Sequence, residues 1–160
     1  MRFTIRRGQI KDCEKVFELI NELAEFENAA DKVENNLEQF VIDGFGREQY
    51  FLLWVAETDD NQIAGMALCY KAYSTWKGKM LYLDDLVVKE KFRRKGLGQK
   101  FLDVLIRFAY DNDFKAIKWQ VLDWNEPAIN LYAKNGLTFD KEWIDCKMNF
   151  EQISNYLNIK

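Results

Sequence analysis

Two adjacent aspartates, Asp84 and Asp85, stand in the middle of a run from Met80 to Val88 that is otherwise aromatic, leucine-rich and β-branched. Such a run reads as a buried strand, where carboxylates are rarely placed for stability. Side chains alternate across a strand, so the spacing predicts Asp84 and Asp85 on opposite faces, at least one of them paired, set in a cleft or functional. The chain holds no histidine. Proton transfer therefore falls to carboxylates, tyrosine, lysine, cysteine or ordered water.

A second group follows directly. Arg93, Arg94, Lys95, Gly96, Leu97, Gly98 and Gln99 join the strand to an apolar-periodic run. Glycines let a backbone approach a ligand closely, and the free N–H groups of a helix N-terminus favour an anion such as a phosphate. The spacing fits neither a P-loop, which needs Gly, four residues and then Gly-Lys-Ser/Thr, nor a dinucleotide fingerprint, which needs a third glycine. On these residues alone, an ordinary strand-to-helix turn with a solvated basic face stays open beside an anion site.

A strand ending Leu86-Val87-Val88 and an Arg-x-x-Gly-x-Gly turn opening a helix resemble the acetyl-CoA pyrophosphate loop of the GNAT N-acetyltransferase superfamily. The block Trp124-Asn125-Glu126-Pro127-Ala128-Ile129-Asn130-Leu131-Tyr132, followed by Gly136, strengthens the resemblance. Together with Gly44-Phe45-Gly46 and Tyr82-Leu83-Asp84-Asp85, it is similar to the diamine (spermidine/spermine) and thialysine N-acetyltransferases, from Ile5 to about Trp143. Tyr73-Ser74-Thr75-Trp76-Lys77-Gly78 and Val121-Leu122-Asp123-Trp124-Asn125 look closer to the thialysine branch.

The resemblance implies acetyl transfer from acetyl-CoA to a primary amine of a small molecule: a thialysine- or lysine-like amino acid, or a polyamine. An amine with a pKa near 10.4 is neutral in only about one molecule in 10³ to 10⁴ at pH 7, so a proton acceptor is required. The resemblance places an acid, usually Glu, at Asp84, and makes Tyr132 the general acid that protonates the leaving CoA sulfur. Backbone groups of Leu86, Val87 and Val88 are expected on the thioester and pantetheine. Arg93, Arg94, Lys95, Gly96, Leu97, Gly98 and Gln99 are expected on the pyrophosphate, with Asn125, Pro127 and Ala128 also at the cofactor. Phe26, Glu27, Ser74, Thr75, Trp76, Asp84 and Asp85 are the implied amine-binding set. Read from the residues alone, other roles stay open: Asp84 neutralising a basic neighbour or binding the substrate cation, Tyr132 as a packed aromatic, and Trp76 as core at a strand end. A homodimer is implied as well. The same fold acting on a protein or peptide amine, a non-catalytic CoA sensor and a nucleotide-binding domain are the competing readings.

Bulk properties narrow the class. A chain of 160 residues with 48% apolar content is expected to form one globular domain over residues 1–160. No apolar run reaches about 18 residues, the N-terminal stretch reads as a first strand, and a cytoplasmic location is expected. Cys13, Cys69 and Cys146 form no CxxC pair, which supports neither a disulfide framework nor a metal site. A net charge of −3 gives no reason to expect nucleic acid.

The elements that must position these residues follow from periodicity and punctuation. Strands are expected at Phe3–Arg6, Tyr50–Glu57, Gln62–Tyr73 and Met80–Val88, the last three consecutive and antiparallel. Helices are expected to about Phe26, from Asn35 or Asn36 to Gly44, after Gly98 to about Asp111, and from Asn125 to Asn135. Ala116–Leu122, Leu137–Phe139 and Trp143–Phe150 are expected as further strands, and Phe150–Leu157 as a terminal turn of helix. The fold class is therefore α/β (α+β), a mixed, mostly antiparallel sheet of six to seven strands with about four helices. The resemblance adds a splayed parallel pair at the CoA site.

Overall fold

The computed structural model describes residues 2–142 and 144–157. The chain divides into two compact units, Met1–Trp124 and Asn125–Lys160.

The first unit is built on a five-stranded sheet: β1 (Phe3–Arg7), β2 (Leu52–Thr58), β3 (Ile63–Ser74), β4 (Gly78–Val88) and β5 (Ala116–Lys118), in that spatial order. β1 to β4 pair antiparallel; short connections return β3 and β4 each beside the strand before it, whereas residues 8–51 separate β1 from β2. β5 returns through helix α3 (Leu97–Asp111) and pairs parallel with β4.

Two helices, α1 (Cys13–Phe26) and α2 (Leu37–Phe45), cover one face of the sheet. Val16 and Leu19 of α1 and Phe40 of α2 form one core with Leu53, Val55, Met66, Leu68 and Val87. α2 begins where the Asn36 side chain accepts the Gln39 N–H, capping a free donor. α3 packs on the other face, where Phe108 meets Trp54 edge-on with ring centroids 5.0 Å apart. Phe101, Leu102 and Leu105 of α3 are fully buried.

β1, β2 and the approach to α1 are tied by one guanidinium. Arg6 Nη1 and Nη2 donate to the two carboxylate oxygens of Asp12 at 2.7 and 2.9 Å, while Nε and Nη2 donate to Glu57 at 2.9 and 3.1 Å. Asp12 also accepts the Gln9 N–H at 2.8 Å.

The β3/β4 ladder is interrupted once. Leu68 pairs with Asp85 and Cys69 with Leu83, which leaves Asp84 as an extra residue in β4, a β-bulge. Up to Leu83 the buried side chains of β4, Leu81 and Leu83, share the face of Cys69 and hence of α3; beyond the bulge Val87 lies opposite Met66 on the α1 face. The alternation expected between Asp84 and Asp85 is thus broken where it was to operate.

The second unit holds α4 (Glu126–Lys134) and α5 (Phe150–Tyr156). The sheet has five strands among the described residues rather than six to seven, and the α-helices number five rather than about four. Leu137–Phe139 is not a strand, because the Leu137 N–H closes the end of α4 on the Tyr132 carbonyl. Nor are the described residues of Trp143–Phe150, where Asn149 caps α5 and Phe150 is its first residue. Trp143 itself lies outside the described residues. The expected strand from Ala116 to Leu122 ends at Lys118.

Candidate active site

The short β5 decides where the sheet opens. It pairs with Met80, Leu81 and Tyr82, so among the described residues β4 from Leu83 to Val88 has no strand on that side. The backbone of Leu86, Val87 and Val88 runs along this edge, where the groups not turned toward β3 are within reach of an extended ligand.

The edge leads into the basic turn. Arg94 adopts φ +60° and Gly96 φ +78°, and Gly96, the N-cap of α3, has no side chain with which to bond its first turn. Space does not require the glycine, since an added Cβ would meet nothing within 4 Å; the left-handed backbone does. An uncapped helix end beside Arg94 and Lys95 suits an anion electrostatically. Arg93 turns elsewhere: its Nε donates to the Val88 carbonyl at 3.1 Å, and its guanidinium carbon lies 5.4 Å from the centroid of the Phe26 ring.

Asp85 and Glu27 lie on the α1 side of this edge, with Asp84 next to Asp85 in the strand. Glu27 is the C-cap of α1, followed by Asn28 in left-handed conformation, so the chain turns there and leaves Glu27 at the helix end. Asp85 feels the charges of Asp84 and Glu27. Burial first, then those two neighbours, lifts the Asp85 carboxyl to about 7. Asp84 reaches solvent, yet partial desolvation still raises it from the ordinary range. None of the three carboxylates is in an ion pair among the described residues.

Beside the carboxylates stands an aromatic pair. Phe26 and Trp124 lie with ring centroids 5.4 Å apart, both partly exposed. Trp124 did not figure among the amine-binding residues read from the sequence; the signal was its place directly before Asn125. An anionic cluster with aromatic walls attracts an organic cation by charge and by the ring quadrupole.

Ser74, Thr75 and Trp76 stand apart from this cluster. They form the tip of the β3/β4 hairpin, where Ser74 Oγ accepts the Trp76 and Lys77 N–H groups, each at 3.2 Å. Ser74 is separated from Leu68, the partner of Asp85, by roughly 20 Å of strand. Trp76 is 87% exposed and is not core. A separate cavity of about 670 Å³, lined among others by Arg7, Trp54, Lys71, Lys79, Arg107 and Phe108, contains none of the site residues named here.

In the second unit, the Asn125 side chain caps α4 by accepting the Ala128 N–H, and Pro127 occupies the first turn, where its missing N–H costs nothing. Tyr132, two turns further on, is buried, which pushes its hydroxyl above the usual tyrosine range. A phenol with a raised pKa stays protonated at neutral pH and remains available as a proton donor.

Comparison with known proteins agrees with this geometry. The model of the acetyltransferase (GNAT) family matches residues 14–137. The chain is similar to a thialysine N-epsilon-acetyltransferase of Bos taurus, 36% identical over 139 residues that cover 82% of each chain. It is also similar to the spermidine/spermine N(1)-acetyltransferase-like protein 1 of Homo sapiens, 32% identical over 160 residues, covering 94% of this chain and 23% of that one. Among solved structures, an integron cassette protein of V. cholerae shares the fold with a TM-score of 0.79 at 18% identity, covering 100% of this chain and 99% of the other.

Proposed function

We propose, from the premise that this chain belongs to the GNAT acetyltransferase family, that it is an N-acetyltransferase that moves an acetyl group from acetyl-CoA to a primary amine of a small molecule. The observation that carries the amine half of this reading is the set Glu27, Asp84 and Asp85, unneutralised by any ion pair among the described residues and flanked by Phe26 and Trp124. The cofactor half rests on the open edge of β4 running into the uncapped start of α3. Pantetheine bonds to the backbone of Leu86 to Val88, and pyrophosphate to the N–H groups from Gly96 to Gln99 with Arg94 and Lys95 beside them. Asn125, Pro127 and Ala128 complete the cofactor contacts by resemblance.

In the reaction, the acidic pair binds the ammonium and accepts its proton, and the neutral amine attacks the thioester carbonyl. Backbone N–H groups on the β4 edge stabilise the oxyanion, a contribution of ~3 kcal/mol for a single donor. Tyr132 gives its proton to the departing thiolate. Relatives named for thialysine support an amino-acid amine, and one named for spermidine and spermine keeps polyamines in the same class.

The family match from residue 14 to 137 runs across the division at Trp124, which supports reading both units as one acetyltransferase domain. We read the protein as a homodimer in which the exposed Trp76, with Ser74 and Thr75, serves the amine site of the second copy. We also read it as cytoplasmic, in keeping with three free cysteines; no helix of the described residues is long and apolar enough to cross a membrane.

The deciding experiment is acetyl-CoA-dependent thiol release on one panel of thialysine, lysine, spermidine, spermine, putrescine and a lysine-bearing peptide. Turnover of one or more of the small amines is expected. Turnover of the peptide alone, or of nothing on the panel while CoA binds, refutes the assignment.

A further inference from the structure

The bulge at Asp84 separates the roles of two carboxylates that are adjacent in the chain. Asp85 is back in register, opposite Leu68, on the face that α1 covers. β3 therefore offers it an apolar neighbour, and the charges acting on it are Asp84 from its own strand and Glu27 from the end of α1. No cation pairs with its carboxylate and no hydrogen bond to that carboxylate is made among the described residues. Asp84, the extra residue, is the more exposed of the two and keeps more of its water. A hydrated carboxylate holds a proton weakly; a half-buried one facing two like charges holds it well.

Resting on the reading of this protein as an amine acetyltransferase, we infer that Asp85, and not Asp84, is the carboxylate that takes the proton from the bound ammonium, and that docking of the cation first expels the proton Asp85 holds in the free enzyme. Asp84 and Glu27 hold the cation by charge. The steps balance. The incoming cation displaces the Asp85 proton to solvent; an N–H bond of the ammonium then breaks as an O–H bond forms on Asp85. The amine lone pair forms the C–N bond, the C–S bond breaks, the thiolate leaves with one proton from Tyr132, and the second N–H proton, lost from the acylated nitrogen, restores the Tyr132 hydroxyl. The sum is ammonium plus acetyl-CoA giving N-acetyl amine, CoA thiol and one proton. The elevated Asp85 carboxyl, at about 7, matches this role, since a base works best when its pKa lies near the working pH. It also makes amine binding about tenfold weaker at pH 6 than at pH 8, because the cation must displace a more tightly held proton.

The test is carbon NMR of protein labelled at the aspartate carboxyls, titrated without amine or cofactor. One aspartate signal is expected to titrate with a midpoint near 7. Asp85→Asn removes it, and Asp84→Asn leaves it at a lower midpoint, because one of the two like charges is gone. Calorimetry of thialysine and of spermidine in two buffers of different ionisation enthalpy at pH 7 then reads the proton released on docking. Release of about half a proton is expected in the unsubstituted protein and none in Asp85→Asn. A midpoint near 7 that survives Asp85→Asn, or that vanishes only in Asp84→Asn, overturns the assignment, as does docking without proton release. Because the midpoint is read on the free protein, an enzyme inactive on every amine refutes the proposed function and leaves the Asp85 assignment to its own result.

Discussion

Replacing Arg6 by methionine tests how the first unit is held together. The Asp12 side chain is 5% exposed and bonded bidentately to Arg6, whose guanidinium also engages Glu57. Methionine keeps most of the aliphatic length and removes every one of these donors, leaving Asp12 with the Gln9 N–H alone. Breaking a buried pair from one side costs ~3–5 kcal/mol, and the surviving Gln9 bond puts the loss near the lower end, ~3 kcal/mol at pH 7. For a chain of this size that is a fall in Tm of roughly 6–12 °C.

The pH dependence gives the test its direction. In the unsubstituted protein, burial pushes the Asp12 carboxyl up, but the Arg6 hydrogen bonds and the Gln9 N–H pull it below its ordinary value. Its stabilisation is therefore present above the unfolded pKa and is lost as pH falls through the lower folded one. In Arg6→Met, burial acts without Arg6, the folded pKa rises above the unfolded one, and the penalty grows with pH. The difference between the two proteins should thus shrink from pH 7 to pH 4. Urea denaturation at pH 4, 5.5 and 7 reads it. A difference that is constant with pH, or absent at pH 7, refutes the reasoning.

Other outcomes follow from single features. Tyr132→Phe is expected to lower kcat by about 10² to 10⁴ with CoA affinity retained in a binding titration; unchanged turnover removes Tyr132 from the mechanism. Gly96→Ala forces a side chain into φ +78° and is expected to cost about 1–2 kcal/mol of stability or to weaken CoA binding as the turn relaxes. Trp76→Ala should leave the melting temperature within about 1–2 °C while raising the amine KM, since the ring is solvent-facing; an unchanged KM removes it from the site.

What was legible in the sequence is what local chemistry dictates. The end of α1 at Phe26, the cap at Asn36, the turn at Gly96 and the cap at Asn125 each depend on a few neighbouring residues, and each was found. The bulge was hidden by coincidence. Leu81, Leu83 and Val87 keep a period of two through the aspartates, so the pattern reads as one face although the extra residue puts Val87 on the other. Nothing local to Asp12 announces its ion pair, since its partner Arg6 comes from a strand and Glu57 lies 51 positions from Arg6. The apolar stretch after Asn135 had strand composition, but strand formation needs a partner that composition cannot supply: Ile144 is 88% exposed. The distance between the hairpin tip at Trp76 and the acidic cluster follows from strand length, which spacing of motifs does not reveal.

The bulge also makes chain length at this point a carrier of information in its own right. Deleting Asp84 would do more than remove a carboxylate. With the ladder regular again, Asp85 would stay opposite Leu68 and Val87 opposite Met66, so every side chain from Asp85 to Val88 would keep its face; what would go is the bulge, with the local bend and added twist it gives β4. A substitution at Asp84 and a deletion of Asp84 are therefore different experiments. The first changes the charge of the site and keeps the bulge; the second removes charge and bulge together and straightens the strand that carries Asp85.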